Sequence, residues 1–77
     1  MTELSEGGPL VVDARGMRCP WPALRLARAM RNAADVLLIA DDPQAGREVA
    51  ALAAEHDWLV ELETATDNAE RWRVRRR

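Results

Sequence analysis

Cys19 is the only cysteine in this chain of 77 residues, and it stands in the segment Met17-Arg18-Cys19-Pro20-Trp21-Pro22. A thiol reacts as its thiolate, and neighbouring arginines or a helix N-terminus lower its pKa from about 8.5 to roughly 3.5–7.5. Both influences surround Cys19. From Ala14 to Ala34 the bases Arg15, Arg18, Arg25, Arg28 and Arg31 occur without a single acid. Pro20 and Pro22 fit a helix only in its first turn, where backbone N–H groups have no intrahelical partner. They set the helix start at Pro20 and put Cys19 at or next to the N-cap, where unpaired N–H groups and the positive end of the helix dipole favour an anion. A buried cysteine capping a helix is the bland alternative. The prolines and the arginine block favour an exposed, reactive Cys19, with Arg18 as thiolate stabiliser and Pro20 and Pro22 holding the sulfur outward.

Other residues offer less. One cysteine and one histidine cannot supply the ligands of a typical zinc site or an internal disulfide framework, so no metal or cofactor is expected. Trp21 beside the thiol is a candidate interface anchor, and Arg25, Arg28 and Arg31 are candidates to steer an acidic partner; Asp42 is a further docking candidate. His56 and Asp57 invite an acid–base reading but fall at the end of a helix remote in sequence from Cys19, where a histidine serves as a terminal charge. The tail Arg71-Trp72-Arg73-Val74-Arg75-Arg76-Arg77 suggests RNA binding, against which stand a net charge of -2 and an expected hairpin that sets Glu61 beside Arg73 and Glu63 beside Arg71.

The elements that must position these residues follow from pattern. Leu10 to Asp13 reads as a strand ending at Arg15-Gly16. Pro20 to about Asn32 reads as a helix with Ala23, Leu26, Ala27 and Met30 on its apolar face. Asp35 to Ala40 is an apolar run suited to a central strand. Asp42 as N-cap and Pro43 at the first position open a second helix, striped by Ala45, Val49, Leu52 and Ala53 and ending near His56. Trp58 to Glu63 and Arg71 to Arg75 alternate as strands with Trp58, Val60, Leu62, Trp72 and Val74 inward, joined by a loop from Thr64 to Glu70, with Leu62 facing Trp72. The order β-α-β-α-β-β predicts a two-layer α/β (α+β) sandwich, a mixed four-stranded sheet with two helices packed on one face. Residues 1–77 make one domain, residues 1–8 forming a flexible N-terminus. With no signal-peptide pattern and no long apolar run, the expected compartment is the cytoplasm, where a lone thiol stays reduced.

The run Asp13-Ala14-Arg15-Gly16-Met17-Arg18-Cys19-Pro20-Trp21-Pro22, followed by a helix, an apolar strand and Ala40-Asp41-Asp42-Pro43, resembles the TusA/SirA family of small sulfur carriers over nearly the whole span from Leu10 to Arg75. The Cys-Pro-x-Pro motif, after the Asp-x-x-Gly element from Asp13 to Gly16, is the center of the likeness. The resemblance implies the same two-layer fold and a sulfurtransferase-type relay in which Cys19 carries sulfane sulfur as a persulfide. It also implies a cysteine desulfurase or rhodanese-like donor and a downstream acceptor protein serving tRNA thiolation, sulfur oxidation or cofactor synthesis; from charge and composition, no direct contact with nucleic acid or membrane is expected. A monomer is expected. Two departures stand out: Asn32-Ala33-Ala34-Asp35 lacks the family's Gly-Glu before the second strand, and Trp21 replaces the usual acid or amide. Two rival readings are a non-catalytic RNA- or protein-binding module of the same fold and a thiol redox sensor.

Overall fold

Apolar residues recur at helical spacing in two segments, run unbroken in two more and alternate in the last two, and each segment becomes the expected element. The computed structural model describes residues 8–66 and 68–77. They form β1 (Leu10–Asp13), α1 (Trp21–Ala29), β2 (Asp35–Ala40), α2 (Ala45–His56), β3 (Leu59–Thr66) and β4 (Ala69–Arg75). The expected flexible stretch over residues 1–8 lies, but for Gly8, outside the described residues.

The sheet order is β1-β2-β4-β3, with β1 parallel to β2 and the other neighbours antiparallel. β2 is central, as its unbroken apolar run requires. Alternate residues of the strands, among them Val12, Val36, Leu38, Trp72 and Val74, meet Leu26 and Met30 of the α1 region and Ala45 and Val49 of α2 in one core. α2 crosses close over Trp72: a Cβ on Gly46 would stand 3.1 Å from the indole Cζ2. The outer face of β4 carries Arg71, Arg73 and Arg75, and Arg73 bridges to Asp35 of β2 at 2.5 and 2.6 Å.

Several boundaries and contacts differ from the sequence reading. α1 stops at Ala29 rather than Asn32, because its last turn tightens into three-residue hydrogen bonds, Arg31 N–H to the Arg28 carbonyl and Asn32 N–H to that of Ala29. α2 begins at Ala45 with Gln44 as N-cap and no side-chain cap, so Asp42 is not its cap; the Asp42 carboxylate accepts from the Cys19 amide instead. The expected loop from Thr64 to Glu70 is largely strand, since β3 pairs on to Thr66↔Ala69, with Asn68 at φ +66; Asp67 of that loop lies outside the described residues. An irregularity between Leu62 and Thr64 puts Thr64, not Glu63, opposite Arg71, and Glu63 reaches Arg73 at 3.4 Å instead. Leu62 does face Trp72 and Glu61 does face Arg73, yet Leu62 is 55% exposed rather than inward, because β3 is an edge strand with a neighbour on one side only. Trp58 precedes β3 and packs against the core with Val60.

α2 ends with Asp57 in the left-handed conformation (φ +60) and Trp58 N–H bonded back to the Ala53 carbonyl at 2.8 Å, which satisfies an otherwise orphaned helix carbonyl. No helix among the described residues is long and apolar enough to cross a membrane.

Candidate functional site

Parallel pairing of β1 with β2 brings the C-terminal ends of both strands side by side, and the site is built where they finish. Asp13 closes β1 by accepting the Arg15 backbone N–H at 3.1 Å and its guanidinium at 3.0 and 2.8 Å; these hydrogen bonds hold its pKa down to about 2. The chain then turns at Gly16, whose φ of +84 is one that residues with a Cβ rarely adopt. Ala14 N–H donates to the Ile39 carbonyl at 2.7 Å, and Gly16 N–H to Asp41 Oδ1 at 2.9 Å. Cys19 N–H donates to Asp42 Oδ2, also at 2.9 Å. Arg18 to Trp21 form a turn closed by Trp21 N–H to the Arg18 carbonyl at 2.8 Å, with the Cys19-Pro20 peptide cis. Pro20 is the N-cap of α1, and its carbonyl accepts the Leu24 N–H at 3.1 Å.

Cys19 is exposed, immediately before that N-cap. Pro20 is exposed, whereas Pro22 is fully buried and so anchors the first turn in the core. Trp21 is 58% exposed, with Leu24 exposed a turn later. Arg18, Arg25, Arg28 and Arg31 are all exposed, and Arg25 reaches the Met17 sulfur at 3.8 Å. Arg25 and Arg28 border a shallow groove of about 280 Å³ between β1 and α1. Asp42, expected as a surface contact, is half-buried and occupied with the Cys19 amide. A second groove, of about 460 Å³, runs past Gly16, Arg18 and Asp42.

Electrostatics at the sulfur run opposite to the expectation. The Cys19 pKa is pushed up by partial desolvation and by the neighbouring Glu48 and Asp42 carboxylates. Arg18 is not among the groups that shift it. The helix start also offers few donors, for a reason legible in the motif itself. Pro20 and Pro22 have no N–H, and that of Trp21 is spent on the Arg18 carbonyl; Ala23 keeps the one first-turn amide without a backbone acceptor among the described residues. Glu48, Asp41 and Gly16 were missed as site residues. The pair Asp41-Asp42 directly after a strand parallel to β1 is the signal that points to them, since such a pair must lie beside the loop leaving β1.

The remaining candidates lie elsewhere. His56 is eight residues along α2 from Glu48, about 12 Å at the helical rise, and its ring stacks on Trp58 with centroids 4.5 Å apart. Asp57 accepts from Arg77 at 2.9 Å. Arg75 pairs with Glu61 at 3.2 Å, and Arg76 holds the Met30 carbonyl. Trp72 is buried, so it offers no exposed stacking face for a base.

Fold and site together define a class: a small two-layer α/β protein that presents one exposed cysteine on a turn tied to the ends of two parallel strands. With no second cysteine in the chain, its thiol chemistry takes place with other molecules. Residues 10–76 match the family model described as sulfurtransferase TusA, and the chain belongs to that family. Its general role is accordingly that of a sulfur carrier or sulfurtransferase working in a relay with partner proteins.

Proposed function

We propose that Cys19 is the sulfur-bearing residue of this relay. The observation that carries the reading is that the one thiol of a TusA-family chain is exposed on a turn fixed from both sides. The Cys19 thiolate attacks the outer sulfur of a donor persulfide; a new S–S bond forms to Cys19, the donor S–S bond breaks, and the donor cysteine leaves as thiolate with the electron pair. Delivery reverses the roles: an acceptor thiolate attacks the outer sulfur of Cys19–S–SH and Cys19 leaves as thiolate. Neither step changes the total oxidation state, so neither needs a redox cofactor. Both occur between proteins in the cytoplasm, with the chain acting as a monomer.

The raised pKa suits a carrier. A more basic thiolate is a stronger nucleophile once formed and a poorer leaving group once loaded, so the persulfide resists loss to adventitious thiols. The same direction weighs against a redox sensor, whose cysteine works as a low-pKa thiolate. Trp21 with Arg25, Arg28 and Arg31 forms the docking face for an acidic, partly apolar partner surface. The donor is a cysteine desulfurase or a rhodanese-like protein, and the acceptor serves tRNA thiolation, sulfur oxidation or cofactor synthesis.

Incubation with a cysteine desulfurase and cysteine, or with a rhodanese and thiosulfate, tests the reading. Mass spectrometry should find one added sulfur on Cys19 that dithiothreitol removes and that Cys19→Ala abolishes. Absence of loading from both donors overturns it.

A further inference from the structure

Two consecutive carboxylates at the end of β2 hold two amides of the loop that carries the thiol: Asp41 Oδ1 accepts from Gly16 at 2.9 Å and Asp42 Oδ2 from Cys19 at 2.9 Å. The loop is further tied by Ala14 N–H to the Ile39 carbonyl and Met17 N–H to the Ala14 carbonyl. The Cys19 amide is the last of these ties before the helix, and the sulfur is three bonds beyond its nitrogen. Among the described residues, Asp42 is the one side chain outside the loop that is hydrogen-bonded to Cys19, and it fixes the backbone from which the sulfur projects. This use has a cost. Asp42 gives up the capping of α2, and its negative charge disfavours the thiolate. A surface docking residue would need neither sacrifice.

We infer that Asp42 is the positioning residue of Cys19 in sulfur transfer, holding the Cys19 amide through its carboxylate so that the sulfur meets a partner's persulfide or thiolate in line. The inference rests on the carrier reading above. Displacement of a reacting atom by about 1 Å can cost on the order of a hundredfold in rate, so loss of one tie at Cys19 is felt chiefly in the transfer step and little in docking. Asparagine keeps an acceptor oxygen at the same reach and removes the charge; alanine removes both. The acids that act on the sulfur are Glu48 of α2 and Asp42 of the preceding loop, Asp41 being held by the Gly16 amide, and the Asn and Ala variants of Asp42 separate its charge from its hydrogen bond.

Single-turnover loading of Cys19 from a persulfide-bearing cysteine desulfurase, measured against desulfurase concentration, provides the test. Asp42→Ala should lower the limiting rate by about tenfold or more while the half-saturating concentration stays within about threefold, and Asp42→Asn should restore the limiting rate to within about threefold of the wild type. Amide exchange at Cys19, which involves no sulfur chemistry, should be slow in the wild type and Asp42→Asn and fast in Asp42→Ala. Should Asp42→Ala fail to fold by circular dichroism, Asp42→Ser, one bond too short to reach, takes its place with the same expectation. Equal limiting rates in Asp42→Ala and wild type, an effect confined to half-saturation, or Asp42→Asn as slow as Asp42→Ala would each overturn the inference. A wild type that does not load at all instead overturns the carrier reading and leaves the exchange measurement to decide the geometry.

Discussion

At the scale of the residue, the chemistry of Cys19 is governed by groups that come from a different part of the chain. Glu48 and Asp42 press acids against a thiol whose sequence neighbours are basic, and Arg18, one residue away, leaves its pKa unmoved by any resolved contribution. Adjacency along the backbone does not aim a guanidinium at a sulfur. Glu48→Gln removes the leading charge and therefore lowers the Cys19 pKa: the fraction ionised at neutral pH rises. Iodoacetamide alkylation followed from pH 6 to 11 should show its midpoint at lower pH in Glu48→Gln than in the wild type, with Arg18→Ala close to the wild type. The same variant, once loaded, should lose its sulfur to glutathione several-fold faster, because its thiolate leaves more readily. An unchanged midpoint in Glu48→Gln would remove the acid's claim on the thiol.

At the scale of the element, two departures from the sequence reading arise where a side chain has a stronger engagement across the fold than along the chain. Asp42 satisfies the Cys19 amide in place of an α2 amide, and α2 starts at Ala45. Arg73 leaves its expected partner, Glu61, to grip Asp35 on the neighbouring strand with two hydrogen bonds. Both members of that pair are mostly shielded, and the contact lowers the Asp35 pKa and raises that of Arg73. A carboxyl whose folded pKa lies below its unfolded value contributes stability that is fully present above the unfolded pKa and is lost as pH falls through the folded one. Thermal melting should therefore decline as pH drops below about 4, and Asp35→Asn, already lacking the charge, should show a lower midpoint at pH 7 and a flatter decline into acid. A pH dependence in Asp35→Asn as steep as the wild type's would assign the acid sensitivity to other carboxylates.

At the scale of the whole molecule, charge is sorted by face even though the net charge is only -2. The outer face of α1 is positive, the loop between β2 and α2 is negative, and Cys19 stands where they meet. Arg73, Arg75 and Arg77 are paired with Asp35, Glu63, Glu61 and Asp57, whereas Arg25, Arg28 and Arg31 of the α1 region are exposed and form no ion pair among the described residues. Steering by such a field accelerates encounter with an acidic surface and is screened over about 10 Å at 0.1 M salt. The double variant Arg25→Glu, Arg28→Glu should slow second-order loading from the desulfurase by about tenfold at low salt, with the difference shrinking toward 0.5 M sodium chloride. A penalty independent of salt would point to packing contacts of these side chains rather than steering.

Periodicity was sufficient for the number, order and type of the elements, because burial of one face of a helix or strand leaves its period in the residues themselves. The place of Cys19 was legible too, since two prolines one residue apart, directly before a helical pattern, fit that helix only in its first turn. The sequence even contained, in those prolines, the reason that the helix start is poor in donors. The charge around the sulfur was decided by the tertiary structure alone. It depends on β1 and β2 lying parallel and ending together, which brings Asp42 and Glu48 from 23 and 29 positions further along the chain to a thiol flanked in sequence only by arginines. Local pattern records which face a residue turns inward, whereas electrostatics acts through space and follows the strand order.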